Sequence, residues 1–187
     1  GCQGIISFGI CGGLSPDLKP GDCIIARSVV MNDRRLESHP EWSQRLLEAI
    51  PGSIHADIAG VTSPVTTPED KRSMNLATGA VAVDMESFLS IDAAVTHDLP
   101  FAAVRVVADP SHRALPPAAI GTLLADGTPD ISAVMRSVLA QPSQLSSLVR
   151  LALDARAARA TLTRLRSRIG SGFGLHDLAD AMFTPAE

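Results

Sequence analysis

The stretch Phe101-Ala102-Ala103-Val104-Arg105-Val106-Val107-Ala108-Asp109, closed by Pro110, decides how this chain folds. It is apolar from end to end except for Arg105 and the final aspartate. A strand with one face in water would alternate polar and apolar residues. This one does not, so it reads as a strand buried on both faces, as in sheets that helices cover on either side. An arginine inside it needs a charged partner, because a lone buried charge is costly. An ion pair is therefore expected at Arg105.

Other segments extend the pattern outward. Val81-Ala82-Val83-Asp84-Met85-Glu86 is a second strand, and Ser87 opens a helix that ends near His97-Asp98-Leu99-Pro100. Ile5-Ile6-Ser7-Phe8-Gly9-Ile10 is a third strand, stopping at Gly12-Gly13. Asp22 to Val30 follows the turn Lys19-Pro20-Gly21-Asp22, and Ile54 to Val61 is a further strand. His39-Pro40 introduces a helix through Trp42, Leu46, Leu47 and Ile50, which Pro51-Gly52 ends. Thr67-Pro68-Glu69-Asp70-Lys71 is a helix start with a threonine cap and proline at the first helical position. Strands alternating with helices predict an α/β fold: three layers, α/β/α, around a central mixed, mostly parallel sheet.

After Asp109 the sequence predicts a Pro-, Ala- and Gly-rich loop over 110–129 and a helix from Asp130 to Gln141. Pro142 interrupts it before a basic helix that runs to Ile169, with Leu148, Ala155, Leu162 and Ile169 spaced by seven. Residues 1–170 are expected to form one domain, with the helix of 142–170 packed on it, and 171–187 a less ordered tail. The chain opens directly on a core strand, so earlier strands are expected to precede residue 1.

Composition excludes several classes. The 187 residues are 45% hydrophobic and 19% charged, with a net charge of −4, which gives no general attraction to nucleic acid. Only 3% are aromatic, too few for a base-stacking platform. Cys2, Cys11 and Cys23 form no Cys-x-x-Cys pair, which argues against structural zinc or a disulfide framework and suits a reducing cytoplasm. The glycine run Gly9-x-x-Gly12-Gly13 fits neither the dinucleotide fingerprint nor a phosphate-binding P-loop, which disfavours a dinucleotide-dependent oxidoreductase. No apolar run reaches membrane-spanning length, and no secretory leader is visible.

In sheets of this kind, polar residues at strand ends face the ligand crevice. Glu86 and Asp109 both end apolar strands. Glu86 can accept from a pair of sugar hydroxyls, or serve a salt bridge or helix cap. Asp109 can act as a general acid with its pKa raised by desolvation, or cap the following loop. Asp84 is expected to be structural. Gly9 and Gly12 either expose backbone amides to an anion or sugar, or make a tight turn. The basic helix is a packing helix with a solvated arginine face, or a surface that meets anionic lipid headgroups.

Taken in order, Gly9-x-x-Gly12-Gly13-Leu14, Pro20-Gly21-Asp22, Val83-Asp84-Met85-Glu86-Ser87 and Val104-Arg105-x-x-x-Asp109 resemble the superfamily of purine nucleoside phosphorylases and methylthioadenosine/adenosylhomocysteine nucleosidases, over roughly residues 5–140. The stretch Asp109-Pro110-Ser111-His112-Arg113-Ala114-Leu115-Pro116-Pro117 and the basic C-terminal helices resemble one branch, the hopanoid-associated phosphorylases of bacteria. The resemblance implies a phosphorylase/hydrolase-like fold and release of adenine from adenosylhopane by phosphorolysis. A hydrolytic nucleosidase and a non-catalytic nucleoside-binding subunit are the alternatives.

Carried over by residue, the resemblance implies that Asp109 serves the purine at nitrogen-7. Glu86 and Met85 hold the ribose, Gly9 and Gly12 border the phosphate or nucleophile, and Val65 and Thr66 meet the base. It implies no metal and no organic cofactor, with inorganic phosphate as a co-substrate. The expected partners are a small nucleoside, free or lipid-linked, and further copies of the chain, at least a dimer. The expected location is the cytoplasm, including its face of the inner membrane. Ile10 and Ala108 stand where many relatives carry serine.

Overall fold

The computed structural model describes residues 2–116, 145–170 and 172–175. In chain order the elements are β1 (Ile5–Gly13), β2 (Cys23–Met31), β3 (Arg34–Glu37), α1 (Pro40–Ala49), β4 (Ile54–Gly60), α2 (Pro68–Thr78), β5 (Ala82–Asp84), α3 (Ser87–Thr96), β6 (Phe101–Asp109) and α4 (Leu145–Ile169).

The sheet runs β3-β2-β4-β5-β1-β6, and β6 pairs back onto β2. Pairings β1–β6, β2–β4 and β4–β5 are parallel, while β1–β5, β2–β3 and β2–β6 are antiparallel. This is the mixed sheet expected, with one addition. Residues Cys23 to Ile25 of β2 pair with β6 while Ile24 and Ile25 also pair with β4, so five strands close into a ring.

The opening stretch is buried on both faces, as its composition predicts. Phe101, Ala103 and Val107 pack with Phe88, Ile91 and Ala94 of α3. Ala102, Val104, Val106 and Ala108 pack with Trp42 and Leu46 of α1 and with Ala158 and Leu165 of α4. Helices on both sides explain why no polar residue could recur at period two.

Local signals act where they were read. His39 Nδ1 accepts from the Trp42 amide at 3.4 Å and starts α1. The Thr67 hydroxyl accepts from the Asp70 amide at 3.1 Å and donates to the Asp70 carboxylate at 2.7 Å, fixing the start of α2. Gly21, at φ 96°, allows the turn into β2.

Three features differ from the sequence expectation. β3 was not anticipated, because three of its four residues are charged; it is a short edge strand on β2. The strand read over Val81–Glu86 leaves the sheet after Asp84, and Glu86 is the N-cap of α3. In α4 the most buried residues are Ala158 and Leu165, with Leu162 and Ile169 flanking them.

Beyond Gly170, the Phe173 carbonyl accepts from Trp42 Nε1 at 2.7 Å, and its ring meets Phe8 edge-on. The helix expected over 130–141, and residues 117–129 and 176–187, lie outside the described residues. Among the described residues no helix is long and apolar enough to cross a membrane.

Candidate active site

The site is built around the glycine strand β1, which lies between β5 and β6. Gly9 is paired with Arg105, and Gly12 sits between Val83 on one side and Asp109 on the other, at an irregularity in the β1–β6 register. A methyl group on Gly9 would overlap Nη1 of Arg105. One on Gly12 would lie 3.3 Å from Val83 Cγ1 and 3.7 Å from Asp109 Oδ2. Gly9 thus clears space for the Arg105 guanidinium, while at Gly12 the tight neighbour is Val83 and Asp109 is at ordinary contact distance; neither use needs an unusual backbone angle.

The Arg105 guanidinium is buried and fully engaged. Its Nε lies 2.5 Å from Asp84 Oδ2; Nη2 donates to Ser7 Oγ at 2.6 Å and Ser87 Oγ at 3.0 Å; Nη1 donates to the Ile10 carbonyl at 3.3 Å. Asp84 also accepts from the Ser87 amide at 3.0 Å. The structural ion pair expected at Arg105 is therefore present, with Asp84 as its partner. A buried pair this well hydrogen-bonded meets the condition under which such charges are tolerated.

Glu86 was expected as a carboxylate at a buried strand end. Its side chain is instead 66% exposed, because the chain has already left the sheet and begun α3. It is still tied to the site, with Oε2 3.4 Å from Arg105 Nη1. Met85 and Ile10 are also exposed beside the sheet. An open carboxylate anchored at one oxygen retains lone pairs for two neighbouring hydroxyls.

Asp109 ends β6, four residues beyond Arg105 and opposite Gly12, just past the register irregularity. Its carboxyl is pushed above the ordinary range by burial; the hydrogen bond and charge of Lys71 and the charge of Arg113 oppose that rise without cancelling it. Lys71 is fully buried, with Nζ 2.5 Å from Asp109 Oδ2. Sequence reading gave Lys71 no role beyond its place in a helix start. Among the described residues, Asp109 also borders a cavity of about 480 Å³ lined by His112, Arg113, Leu151 and Asp154. Arg113 pairs with Asp154 and so joins the loop after Asp109 to α4.

Val65 packs on the cluster of Leu14, Ala59, Ala80 and Val83. The Thr66 carbonyl accepts from the Leu115 amide at 2.9 Å, so this segment meets the loop that follows Asp109. One group of sequence-selected residues thus gathers at Gly9, Glu86 and Arg105, and a second at Gly12 and Asp109. Burial pushes the Cys11 and Cys23 thiols up, Cys23 to about 12, so neither is a ready nucleophile. Among the described residues no three His, Cys, Asp or Glu side chains converge as a metal site requires.

A family model described as the phosphorylase superfamily matches residues 1–140. Among solved structures, futalosine hydrolase of Helicobacter pylori is similar at 20% identity and a TM-score of 0.54, over 57% of this chain and 57% of that one. A mutant of Helicobacter pylori MTAN with 5′-methylthioadenosine in its active site is similar at 15% identity and a TM-score of 0.59, over 87% of this chain and 68% of that one. The 5′-methylthioadenosine/S-adenosylhomocysteine nucleosidase of S. pneumoniae is similar at 16% identity and 0.57, over 87% and 69%. These likenesses establish the fold, and the chain spans somewhat over half the length of the futalosine hydrolase. No curated protein sequence matches.

Proposed function

Because this chain belongs to the phosphorylase superfamily, we propose that it cleaves the N-glycosidic bond of a purine nucleoside and releases adenine. The observation that carries this reading is the pair of acidic side chains on either side of one glycine strand: Glu86 exposed beside Arg105, and Asp109 half-enclosed beside Gly12.

In this reading the ribose hydroxyls donate to Glu86, and Met85 packs beneath the sugar. The bond to the base stretches toward an oxocarbenium-like transition state, as in glycoside cleavage. Asp109 delivers a proton to nitrogen-7 of the purine, so the base departs neutral. Burial, which makes this carboxyl hold its proton more firmly, suits the task. Val65 and Thr66 border the base. The negative carboxylate of Glu86 favours the positive charge that develops on the sugar. Neither a metal nor an organic cofactor enters these steps.

The nucleophile we propose is inorganic phosphate, approaching from the side of Gly9 and Gly12. One observation favours water instead. Ile10, 45% exposed, presents an aliphatic surface where a hydroxyl would help hold phosphate. The substrate we propose is adenosylhopane, a lipid-linked nucleoside. The arginines of α4, Arg150, Arg156, Arg159, Arg164, Arg166 and Arg168, are all exposed and support contact with anionic headgroups at the cytoplasmic face of a membrane. We further propose a homo-oligomer, supported by the exposed apolar surface of Ile10, Met85 and Leu89.

The deciding experiment is adenine release from adenosylhopane, adenosine and methylthioadenosine, each with and without phosphate. Release that depends on phosphate identifies phosphorolysis; release without it identifies hydrolysis. Nucleoside binding with no release from any of the three identifies a binding subunit and overturns the enzymatic reading.

A further inference from the structure

Lys71 is the one buried residue of α2; its neighbours Glu69, Asp70 and Arg72 all face solvent. All three protons of its ammonium are used. Nζ donates to Asp109 Oδ2 at 2.5 Å, to the Arg113 carbonyl at 2.9 Å and to the Pro110 carbonyl at 3.1 Å. A fully buried lysine is costly even when paired, and a neutral donor could tether the same loop at lower cost. Among the described residues, Asp109 Oδ1 accepts no hydrogen bond. Among the described residues, one carboxyl oxygen is thus held by a fixed cation while the other accepts nothing.

We propose that Lys71 is a positioning residue for proton transfer at Asp109: its ammonium grips Oδ2, so the proton handed to the departing base resides on Oδ1. This rests on the proposed role of Asp109. As the bond between the anomeric carbon and the purine breaks, its electron pair moves onto the base, and the Oδ1 proton passes to nitrogen-7. A phosphate oxygen bonds to the anomeric carbon; where water attacks instead, the proton it sheds returns through solvent to the Asp109 carboxylate and restores the acid. The carboxylate left behind is matched by the cation already beside it, so the charge formed in the step needs no rearrangement to be met.

Other charged or titratable groups surround Asp109. His112 and Arg113 lie in its own loop, Arg150 and Asp154 on α4, and Cys11 on β1, with the Asp84–Arg105 pair beyond. Lys71 is the only one of these that donates to the Asp109 carboxyl among the described residues. Removing its charge withdraws what favours the ionised form. Asp109 then keeps its proton to higher pH, and the alkaline limb of turnover moves upward.

The test compares wild type with Lys71→Met and with Lys71→Gln, which keeps a donor but not the charge. Both variants are expected to lower kcat at least about tenfold, with KM within about threefold. Both are also expected to raise the alkaline limb by about one pH unit. A fall in kcat with the limb unmoved would show a purely structural tether and overturn the proposal, as would unchanged kcat. The Asp109 carboxyl carbon, followed by NMR titration and assigned with Asp109→Asn, gives a second readout that needs no turnover. It should titrate higher in Lys71→Gln than in wild type, and an equal or lower midpoint overturns the proposal. If wild type releases no base while this shift is present, the enzymatic reading fails and the Lys71–Asp109 coupling stands.

Discussion

The guanidinium of Arg105 occupies the space that a side chain on Gly9 would need. The two residues are paired across β1 and β6, and the same guanidinium holds Asp84 and approaches Glu86. The glycine is therefore required by a neighbour on the next strand, with no turn or ligand invoked. Gly9→Ala should displace Arg105 and cost about 1–3 kcal/mol in stability, the range for overpacking a filled site. Nucleoside cleavage should fall with it. Chemical denaturation checks the first outcome and base release the second.

Asp109→Asn removes the transferable proton while nearly preserving shape. Turnover should drop at least about a hundredfold, the lower range of general acid help, and nucleoside affinity should change little. Equilibrium binding and single-turnover base release separate the two effects. Unchanged turnover would remove Asp109 from the acid role.

Glu86 is exposed, so replacing it should barely alter folding. Glu86→Ala is expected within about 0.5 kcal/mol of wild-type stability, as for most surface substitutions. The KM for a ribonucleoside should rise about tenfold or more, the range for losing hydrogen bonds to a charged acceptor. The effect should shrink for a 2′-deoxynucleoside, which has already lost one of the two hydroxyls. Equal losses for both sugars would argue against contact with the diol.

A third acid bears on stability alone. Asp57, on β4, is held to about 2: burial would raise it, but hydrogen bonds from Arg27, Arg35 and Ser28 outweigh that. A carboxylate lowered on folding stabilises the native state above its unfolded pKa, near 4, and ceases to as pH falls through about 2. Both arginines are partly exposed, which screens the pair, so Asp57→Asn should cost about 1–2 kcal/mol at pH 7. The difference between variant and wild type should narrow between pH 4 and pH 2 in acid titrations of thermal stability.

The sequence made β6 legible because a strand buried on both faces has no polar positions to disguise it. It also showed the starts of α1 and α2, where His39 and Thr67 cap with their own side chains. β3 was hidden because Arg34, Arg35 and Glu37 carry charges that an exposed edge tolerates and a propensity reading discounts. Gly9 could be picked out as a glycine signal, Glu86 and Asp109 as acids after apolar runs, and Arg105 as a charge inside an apolar strand. Which acid is buried could not, since it depends on where the chain leaves the sheet after Asp84. Lys71 was invisible for a related reason. Its surroundings are the Asp109–Arg113 loop, which lies some forty residues away in sequence and arrives only through tertiary folding.

Because Gly9 meets Arg105 and Gly12 meets Asp109, the three-residue step along β1 acts as a ruler. It spaces the Arg105 position, which Glu86 approaches, from the Asp109 position by about 10 Å of extended backbone. One residue inserted or deleted between those glycines would change that span and turn the following side chains to the opposite face of the sheet. The exposed position between them, Ile10, should therefore tolerate a change of residue identity far better than a change of chain length.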